Sequence, residues 1–228
     1  MCRASSSIDT IRWGVDQMPT RTIAVGLAVQ FLLAGYCVAQ TVDTGPIRVG
    51  DRWSYDIKDG ATGALKFPVT LVVIEIDQKE ITTRVTGQDN RPFTIVFDPG
   101  WGRIDDGTWK HRPSDLHGVR TLEIGKEWRS EGNSMNMHSG LTFRTSGSGK
   151  VTGQERVTVP AGTFDTIRVE LMVRMTNSAD QTKSSTTTGV VWYAPTINRW
   201  VKRTSEFRFE GRLRDLTIDE LTQYSRRP

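Results

Sequence analysis

β-Branched residues dominate the chain from residue 40 to its end, and this excess constrains the fold more than any other feature. The segment contains 25 Thr, 16 Val and 11 Ile, against only 9 Leu and 5 Ala. β-Branched side chains lose rotamer freedom in a helix and pack well on a pleated sheet, whereas Leu and Ala favour helices. The composition therefore predicts an all-β protein with little helix.

Apolar and polar side chains alternate along several segments of this region. Trp53, Tyr55 and Ile57 alternate with charged or hydroxyl-bearing residues, and the segment 167–175 repeats the pattern. Such alternation is typical of antiparallel strands that have one buried face and one solvated face. The run 69–76 is apolar at nearly every position, which predicts a central strand that is covered on both faces.

Gly- and Pro-containing turn signals divide the region into about ten strands. One of these turns is assigned to Gly147-Ser148-Gly149. Antiparallel strands hide an apolar face by closing into a barrel, by stacking as a sandwich or by curling around something else. We expect residues 40–228 to form a single all-β domain, a curved antiparallel sheet in a half-barrel or open barrel. Besides the segments named above, strands are expected near residues 79–87, 92–98, 126–131, 140–147, 150–159, 185–194, 199–210 and 212–223.

Residues 1–39 have the pattern of a secretory signal peptide. Arg21 precedes an apolar run of 13 residues, Ile23 to Gly35, that is broken only by Gln30, and small residues follow it as they do before a cleavage site. The run is shorter than the roughly 20 residues that span a bilayer, so cleavage is favoured over an uncleaved anchor. Met18 is the better translation start, because two acidic residues in 1–17 do not suit a positive n-region. We expect a periplasmic or secreted bacterial protein with no transmembrane span in the mature chain.

Both cysteines, Cys2 and Cys37, lie in this leader. The mature chain would contain none, which excludes disulfides, a thiol nucleophile and any cysteine-based metal site. Cys37 raises the alternative of lipidation, but Tyr36 stands where a small residue usually precedes a lipid-modified cysteine. Free thiols are uncommon in oxidising compartments, so this cysteine usage is compatible with export.

Two segments that lie 75 residues apart share one pattern. Val49-Gly50-Asp51-Arg52-Trp53 and Ile124-Gly125-Lys126-Glu127-Trp128 each read apolar-Gly-charged-charged-Trp, at the start of an expected strand. The repetition indicates either that each segment begins a unit of one curved sheet, or simply that two turns are similar.

The most distinctive motifs are V-P-A-G-T-F, from Val159 to Phe164, and W-Y-A-P, from Trp192 to Pro195. Pro160 cannot donate to a strand ladder and Gly162 permits a turn, so the first motif predicts a hairpin. The two motifs resemble those of a family of exported bacterial proteins of unknown function. The resemblance covers roughly residues 50–224. It implies a curved antiparallel sheet, distantly similar to the half-barrels of periplasmic lipoprotein carriers, and it implies no catalytic residue.

The sequence contains no complete catalytic or metal-binding pattern. His111 and His117 lie six residues apart in a polar segment and match no metal-ligand spacing, so we interpret them as solvated loop residues. The segment 147–150 lacks two residues of a phosphate-binding loop, and no Ser lies in a G-x-S-x-G elbow. We predict no enzyme activity, no metal and no cofactor. A hydrolytic enzyme that uses scattered carboxylates or the histidine segment is the weaker alternative.

The segment 99–118 is the best candidate for a ligand-binding loop. Trp101, Arg103 and Trp109 lie there among Gly and Asp, and exposed aromatic residues with Arg are typical of binding surfaces. The alternative is that the two tryptophans plug one end of a barrel, because large aromatic side chains are mostly buried. Arg and aromatic residues also mix in 199–214, where acidic residues dilute them. We interpret that stretch as a solvated face or a contact for an anionic envelope component, and we predict no nucleic-acid partner.

Two functions fit these features. The first is an envelope protein that binds or carries a lipid or another apolar or amphipathic ligand. The second is a structural or protein-interaction module of the envelope that has no ligand cavity. A dry apolar space of several hundred Å³ would favour the first, because ligand pockets typically measure about 300–1,000 Å³. A filled centre would favour the second.

Overall fold

Twelve strands follow one another along the chain in a computed structural model that describes residues 46–115, 118–119 and 121–226. The expected leader lies outside these residues. All the strands belong to one compact unit. A single turn of 3₁₀ helix, Pro195–Ile197, separates β10 from β11. The strands are β1 Arg52–Asp59, β2 Leu65–Ile76, β3 Ile81–Thr86, β4 Pro92–Phe97, β5 Arg103–Asp105, β6 Trp109–Arg112, β7 Glu127–Asn136, β8 Thr142–Val159, β9 Gly162–Asn177, β10 Ser184–Ala194, β11 Arg199–Phe209 and β12 Arg212–Ser225.

The strands pair in sequence order, each antiparallel to its neighbours, and β12 pairs with β1 to close a barrel. The all-β class and the antiparallel arrangement are confirmed. The prediction of a half-barrel or open barrel of about ten strands is wrong. Two short polar strands, β5 and β6, extend the sheet within the expected loop 99–118, and Tyr55 pairs with Leu221 across the closing seam.

The expected turn at Gly147-Ser148-Gly149 lies inside β8, which runs without interruption through both strands predicted there. Gly149 pairs with Trp128 on β7, and a Cβ atom at Gly149 would lie 2.1 Å from the Trp128 ring. Glycine therefore makes room here for a neighbouring aromatic ring instead of turning the chain.

The prediction that the strand at 69–76 is covered on both faces is also wrong. Leu71 and Val73 are buried in the barrel, whereas Val72 and Ile74 on the opposite face are only half-buried. A closed barrel has one inner face, so the outward apolar residues of β2 have no second layer to cover them.

The repeated apolar-Gly-charged-charged-Trp segments form equivalent turns. The Gly50 N–H donates to the Val73 carbonyl at 2.8 Å, and the Gly125 N–H donates to the Val151 carbonyl at 2.9 Å. Each valine N–H donates back to the residue that follows the glycine, and both glycines have positive φ, 96° and 84°. The two turns precede β1 and β7, so each begins one six-stranded half of the barrel.

The barrel has two different ends, because its hairpin turns alternate between them. The turns β4–β5, residues 98–102, and β10–β11, residues 195–198, lie at one end, which we call the plugged end. The hairpins β1–β2, β3–β4 and β11–β12 lie at the other end, which we call the hairpin end. A cavity between these ends is described below.

Gly189 on β10 lies too close to the neighbouring strand for any side chain. A Cβ atom there would lie 2.3 Å from the Thr204 carbonyl oxygen on β11. We expect Gly189→Ala to lower the free energy of unfolding by about 1–3 kcal/mol in urea denaturation, because the strand must shift to admit the methyl group. Gly153→Ala is the control, since nothing lies within 4 Å of its Cβ position in β8. Equal effects of the two substitutions would contradict the prediction.

Candidate ligand-binding cavity

A cavity of about 570 Å³ lies inside the barrel. Its walls come from one continuous arc of strands, β9–β12 joined through the closing seam to β1–β5, and they are mostly aliphatic and aromatic. The inward positions of the alternating strands supply these side chains, so the same pattern that predicted the strands also produces the lining. The apolar wall residues include Ile57, Val69, Leu71, Val85, Ile95, Leu171 and Val191.

Three phenylalanines line the cavity toward the hairpin end and are also partly exposed to solvent. Phe67, Phe93 and Phe207 are 38%, 48% and 36% exposed. Large aromatic side chains are usually buried more completely, and an exposed apolar rim is typical of the mouth of a ligand site. The cavity therefore reaches an apolar rim at this end.

Trp101 closes the cavity at the plugged end. The Asp98 carboxylate accepts the N–H groups of Gly100 and Gly102 at 2.9 and 2.8 Å, which fixes the tight β4–β5 turn. Trp101 is thereby directed inward, where its ring meets Trp53 edge-on with ring centroids 5.5 Å apart. Its indole N–H donates to the Asn198 carbonyl at 2.8 Å. Two turns from opposite sides of the barrel are joined through this side chain.

Arg199, the first residue of β11, lies beneath this plug and is completely buried. Its guanidinium carbon lies over the rings of Trp101 and Trp200, 3.9 Å from each ring centroid. The same carbon is 5.3 Å from the Trp53 ring centroid and 5.5 Å from that of Phe97. Cation–π contacts with aromatic faces stabilise a desolvated cation, but they supply no hydrogen-bond acceptor.

Four buried donor nitrogens at this end of the cavity make no hydrogen bond of normal length and angle with any described residue, and the polar group that acts most strongly on Arg199 is the neutral Tyr55 hydroxyl. They are the three guanidinium nitrogens of Arg199 and Nε1 of Trp200. The nearby Tyr55 hydroxyl donates to the Trp200 carbonyl at 2.8 Å. Burial lowers the pKa of Arg199 to about 10, which the Tyr55 phenol offsets in part. Arg199 therefore remains cationic at neutral pH.

The other charged side chains in the cavity wall are paired. Two further arginines and three aspartates line the cavity, and every one of them has an oppositely charged neighbour. In the described part of the cavity wall, Arg199 is therefore the one charged residue that forms no ion pair. The pairs are Arg103 with Asp115 at 2.7 Å, Arg203 with Asp219 at 2.8 Å, and Lys66, which lies outside the wall, with Asp215 at 2.6 Å.

The structure brings two of the three predicted site residues to this cavity. Trp101 and Arg103 line it. Trp109 instead packs edge-on against Phe143, with ring centroids 5.4 Å apart, and is not among the lining residues. The role of all three in ligand binding stays a prediction.

Sequence reasoning missed Arg199, which it assigned to a solvated or envelope-facing stretch. That interpretation is wrong for Arg199, and it is also wrong for Arg203, which lines the cavity. Arg208, Arg212 and Arg214 of the same stretch are exposed. One feature of the sequence could have indicated a buried position for Arg199: it lies between the W-Y-A-P turn and Trp200, where the next strand begins.

His111 is buried in β6, with Nδ1 2.7 Å from the Ser134 hydroxyl, so its interpretation as a solvated loop residue is wrong. The structure does not describe His117. Among the residues that are described, no group of three or more His, Cys, Asp or Glu is placed to hold a metal ion.

A second depression, of about 820 Å³, is broader and more open than the barrel cavity. It runs across β7–β12 and is bordered by charged side chains such as Glu127, Lys150 and Glu170. Lys150 and Glu127 pair with each other at 2.7 Å, and both are exposed. An open groove whose charges already pair in solvent gives a ligand little to bind, so we regard the barrel cavity as the candidate site.

The architecture is thus a closed antiparallel barrel with an internal cavity, and comparisons with known proteins agree on the fold. No protein-family model matches the chain, and no curated protein sequence matches it. A structure from Parabacteroides distasonis, named as a lipoprotein, is 14% identical with a TM-score of 0.51, and the match covers 80% of this chain and 98% of that one. A Bacteroides fragilis structure, named as an exported protein with a YmcC-like fold, is 15% identical with a TM-score of 0.51, covering 79% and 98%.

The hypothetical lipoprotein YmcC of Escherichia coli matches at 11% identity with a TM-score of 0.45, over 81% of this chain and 87% of that one. At 14–15% identity the first two structures show a shared fold. Their names place them among exported proteins and lipoproteins. In the part of this chain that the structure describes, no helix has the length and apolar character to cross a membrane.

Proposed function

We propose that this protein binds an apolar or amphipathic small molecule inside the barrel, and that it does so in the bacterial cell envelope. The observation that carries the proposal is the cavity of about 570 Å³, with apolar walls and an apolar rim. Its volume falls in the range of about 300–1,000 Å³ that is typical of ligand sites. The signal-peptide pattern and the exported proteins that share the fold support the location.

The cavity favours this function over a structural module without a ligand site. A purely structural barrel of this kind needs a filled centre, because an empty apolar space forfeits packing contacts. Binding without catalysis also fits the charged residues of the cavity wall, where each carboxylate is held in an ion pair and not left free to act as a base. An envelope protein as a partner stays a prediction.

The proposal is tested by filling the cavity. Thr187 on β10 lines the cavity, whereas Thr186 beside it belongs to the outer face, where it pairs with Arg174 and Arg208. We expect Thr187→Trp to weaken the binding of the neutral fluorescent probe N-phenyl-1-naphthylamine at least about tenfold, because the added ring occupies space that the probe needs. Fluorescence titration of the purified protein measures the affinity.

Thr186→Trp is the matched control, since it adds the same ring one position along the strand on the opposite face. It is expected to leave probe affinity within about twofold of wild type. Equal loss in both variants, or a wild-type protein that does not bind the probe and carries no small molecule in native mass spectrometry, would overturn the proposal.

A further inference from the structure

We infer that the cavity selects a single-chain amphiphile with a carboxylate head, and that the head binds Arg199 and the Trp200 indole N–H at the plugged end. This inference rests on the proposed function, because it names the class of ligand for the same cavity. It starts from the four buried donor nitrogens that make no hydrogen bond of normal geometry among the described residues; the neutral Tyr55 hydroxyl acts on Arg199 but cannot balance its charge. Buried polar groups in proteins are almost always hydrogen-bonded, and an exception inside a cavity indicates a group supplied from outside.

The charge of the site specifies an anion. Arg199 is fully buried, and the aspartates in the cavity wall are engaged with Arg103, Arg203 and Lys66. The missing partner must therefore accept hydrogen bonds and carry negative charge. A single negative charge balances Arg199, whereas a phosphate monoester carries about −1.5 to −2 and would leave excess charge buried.

The geometry of the site favours a carboxylate among monoanions. The guanidinium carbon lies over the rings of Trp101 and Trp200, 3.9 Å from each ring centroid, and these rings take up none of the guanidinium N–H groups as acceptors, so the N–H groups remain available to a ligand. A planar fork of N–H donors matches the two oxygens of a carboxylate, which it binds with two parallel hydrogen bonds. The Trp200 ring, over which the guanidinium lies, carries a further buried N–H donor without a partner in the described part of the chain.

The shape of the cavity specifies the rest of the ligand. The anion site lies at the plugged end, and the apolar walls run from there to Phe67, Phe93 and Phe207 at the rim. At about 30 Å³ for a group the size of a water molecule, 570 Å³ holds on the order of 20 such groups. That is room for one alkyl chain with a small head. A lipid with a bulky headgroup or two long chains would not fit inside.

The test compares ligands that share one alkyl chain and differ only in the head. Decanoate, decanol and decylammonium compete with N-phenyl-1-naphthylamine for the wild-type protein, at a pH where the carboxylate and the amine are both charged. We expect decanoate to compete at least about tenfold more strongly than decanol, because charge-assisted hydrogen bonds to Arg199 are among the strongest that proteins make. Decylammonium is expected to be the weakest competitor, because it would place a second cation beside Arg199.

Arg199→Met tests the assignment of the head to this residue. We expect the variant to lose the preference for decanoate while it retains affinity for decanol and for the probe, since methionine preserves much of the apolar contact. Arg208→Met is the control, because it removes the same charge from an exposed position on the same strand and is expected to keep the preference. If Arg199→Met does not fold, the comparison of the three heads on wild-type protein decides alone.

The outcomes separate this inference from the proposed function. If the probe binds and decanol competes as well as decanoate, the cavity binds apolar ligands but the carboxylate site is wrong. A preference for decanoate that persists in Arg199→Met would also overturn the assignment. If neither the probe nor any of the three amphiphiles binds, the proposed function itself fails.

Discussion

Trp101→Ala is expected to lower the free energy of unfolding by about 3–5 kcal/mol, the range for removing a large buried aromatic side chain. Trp101 is 4% exposed and packs edge-on against both Trp53 and Phe97. Its removal also leaves the Asn198 carbonyl without its donor, which adds to the cost of the void. Urea denaturation followed by circular dichroism measures the loss.

Trp109→Ala is the matched comparison, because Trp109 comes from the same segment of the sequence but is only half-buried on β6. We expect it to cost about 1–2 kcal/mol, in proportion to the smaller apolar area that it buries. Similar losses for the two variants would show that Trp101 does not close the barrel. They would also remove the reason for placing the anion site beneath it.

The strands themselves could be predicted from the sequence, because the signals that define them are local. β-Branched composition and alternation placed most of them within a few residues, and the inward residues Trp53, Tyr55 and Ile57 were identified correctly as one face. Closure of the barrel could not be predicted in the same way. It depends on the pairing of β1 with β12, and alternation shows which face is buried but not which strand is adjacent.

Two local sequence features led to wrong predictions, because the structure at those positions depends on residues that are distant in sequence but close in space. The glycines at 147–149 have the composition of a turn, yet Trp128 across the sheet explains why Gly149 must lack a side chain. The segments Arg103–Asp105 and Trp109–Arg112 are too short and polar to show alternation, so they were expected to be loop. Pairing with adjacent strands makes them part of the barrel.

The candidate site was predictable only in part for the same reason. Trp101 and Arg103 stood out as aromatic and basic residues in a Gly-rich segment, and both line the cavity. Arg199 looked like any other member of a mixed basic stretch. A register shift in β11 opposite Trp192 and Tyr193 places Trp200 in the cavity. Arg199 is the first residue of β11, where the alternation of inward and outward side chains no longer predicts which way a side chain points.

Arg203→Met is expected to lower the free energy of unfolding by about 3 kcal/mol, because it leaves the Asp219 carboxylate buried without its cation. Asp219 is 3% exposed and accepts a hydrogen bond from Nε of Arg203 at 2.8 Å, with the second contact at 2.5 Å. The loss is placed at the low end of the range for buried pairs, because the Arg203 side chain is 39% exposed. Urea denaturation at neutral pH measures it.

Two further variants show whether the uncompensated carboxylate causes this loss. Arg208→Met breaks an exposed pair with Glu206 on the same strand and is expected to change stability by less than about 0.5 kcal/mol. Adding Asp219→Leu to Arg203→Met is expected to recover most of the stability, because replacing both members of a buried pair with apolar residues removes the unpaired charge. If the double variant is no more stable than Arg203→Met, the loss arises from the packing of the arginine stem. Asp219 would then tolerate burial without a cation beside it.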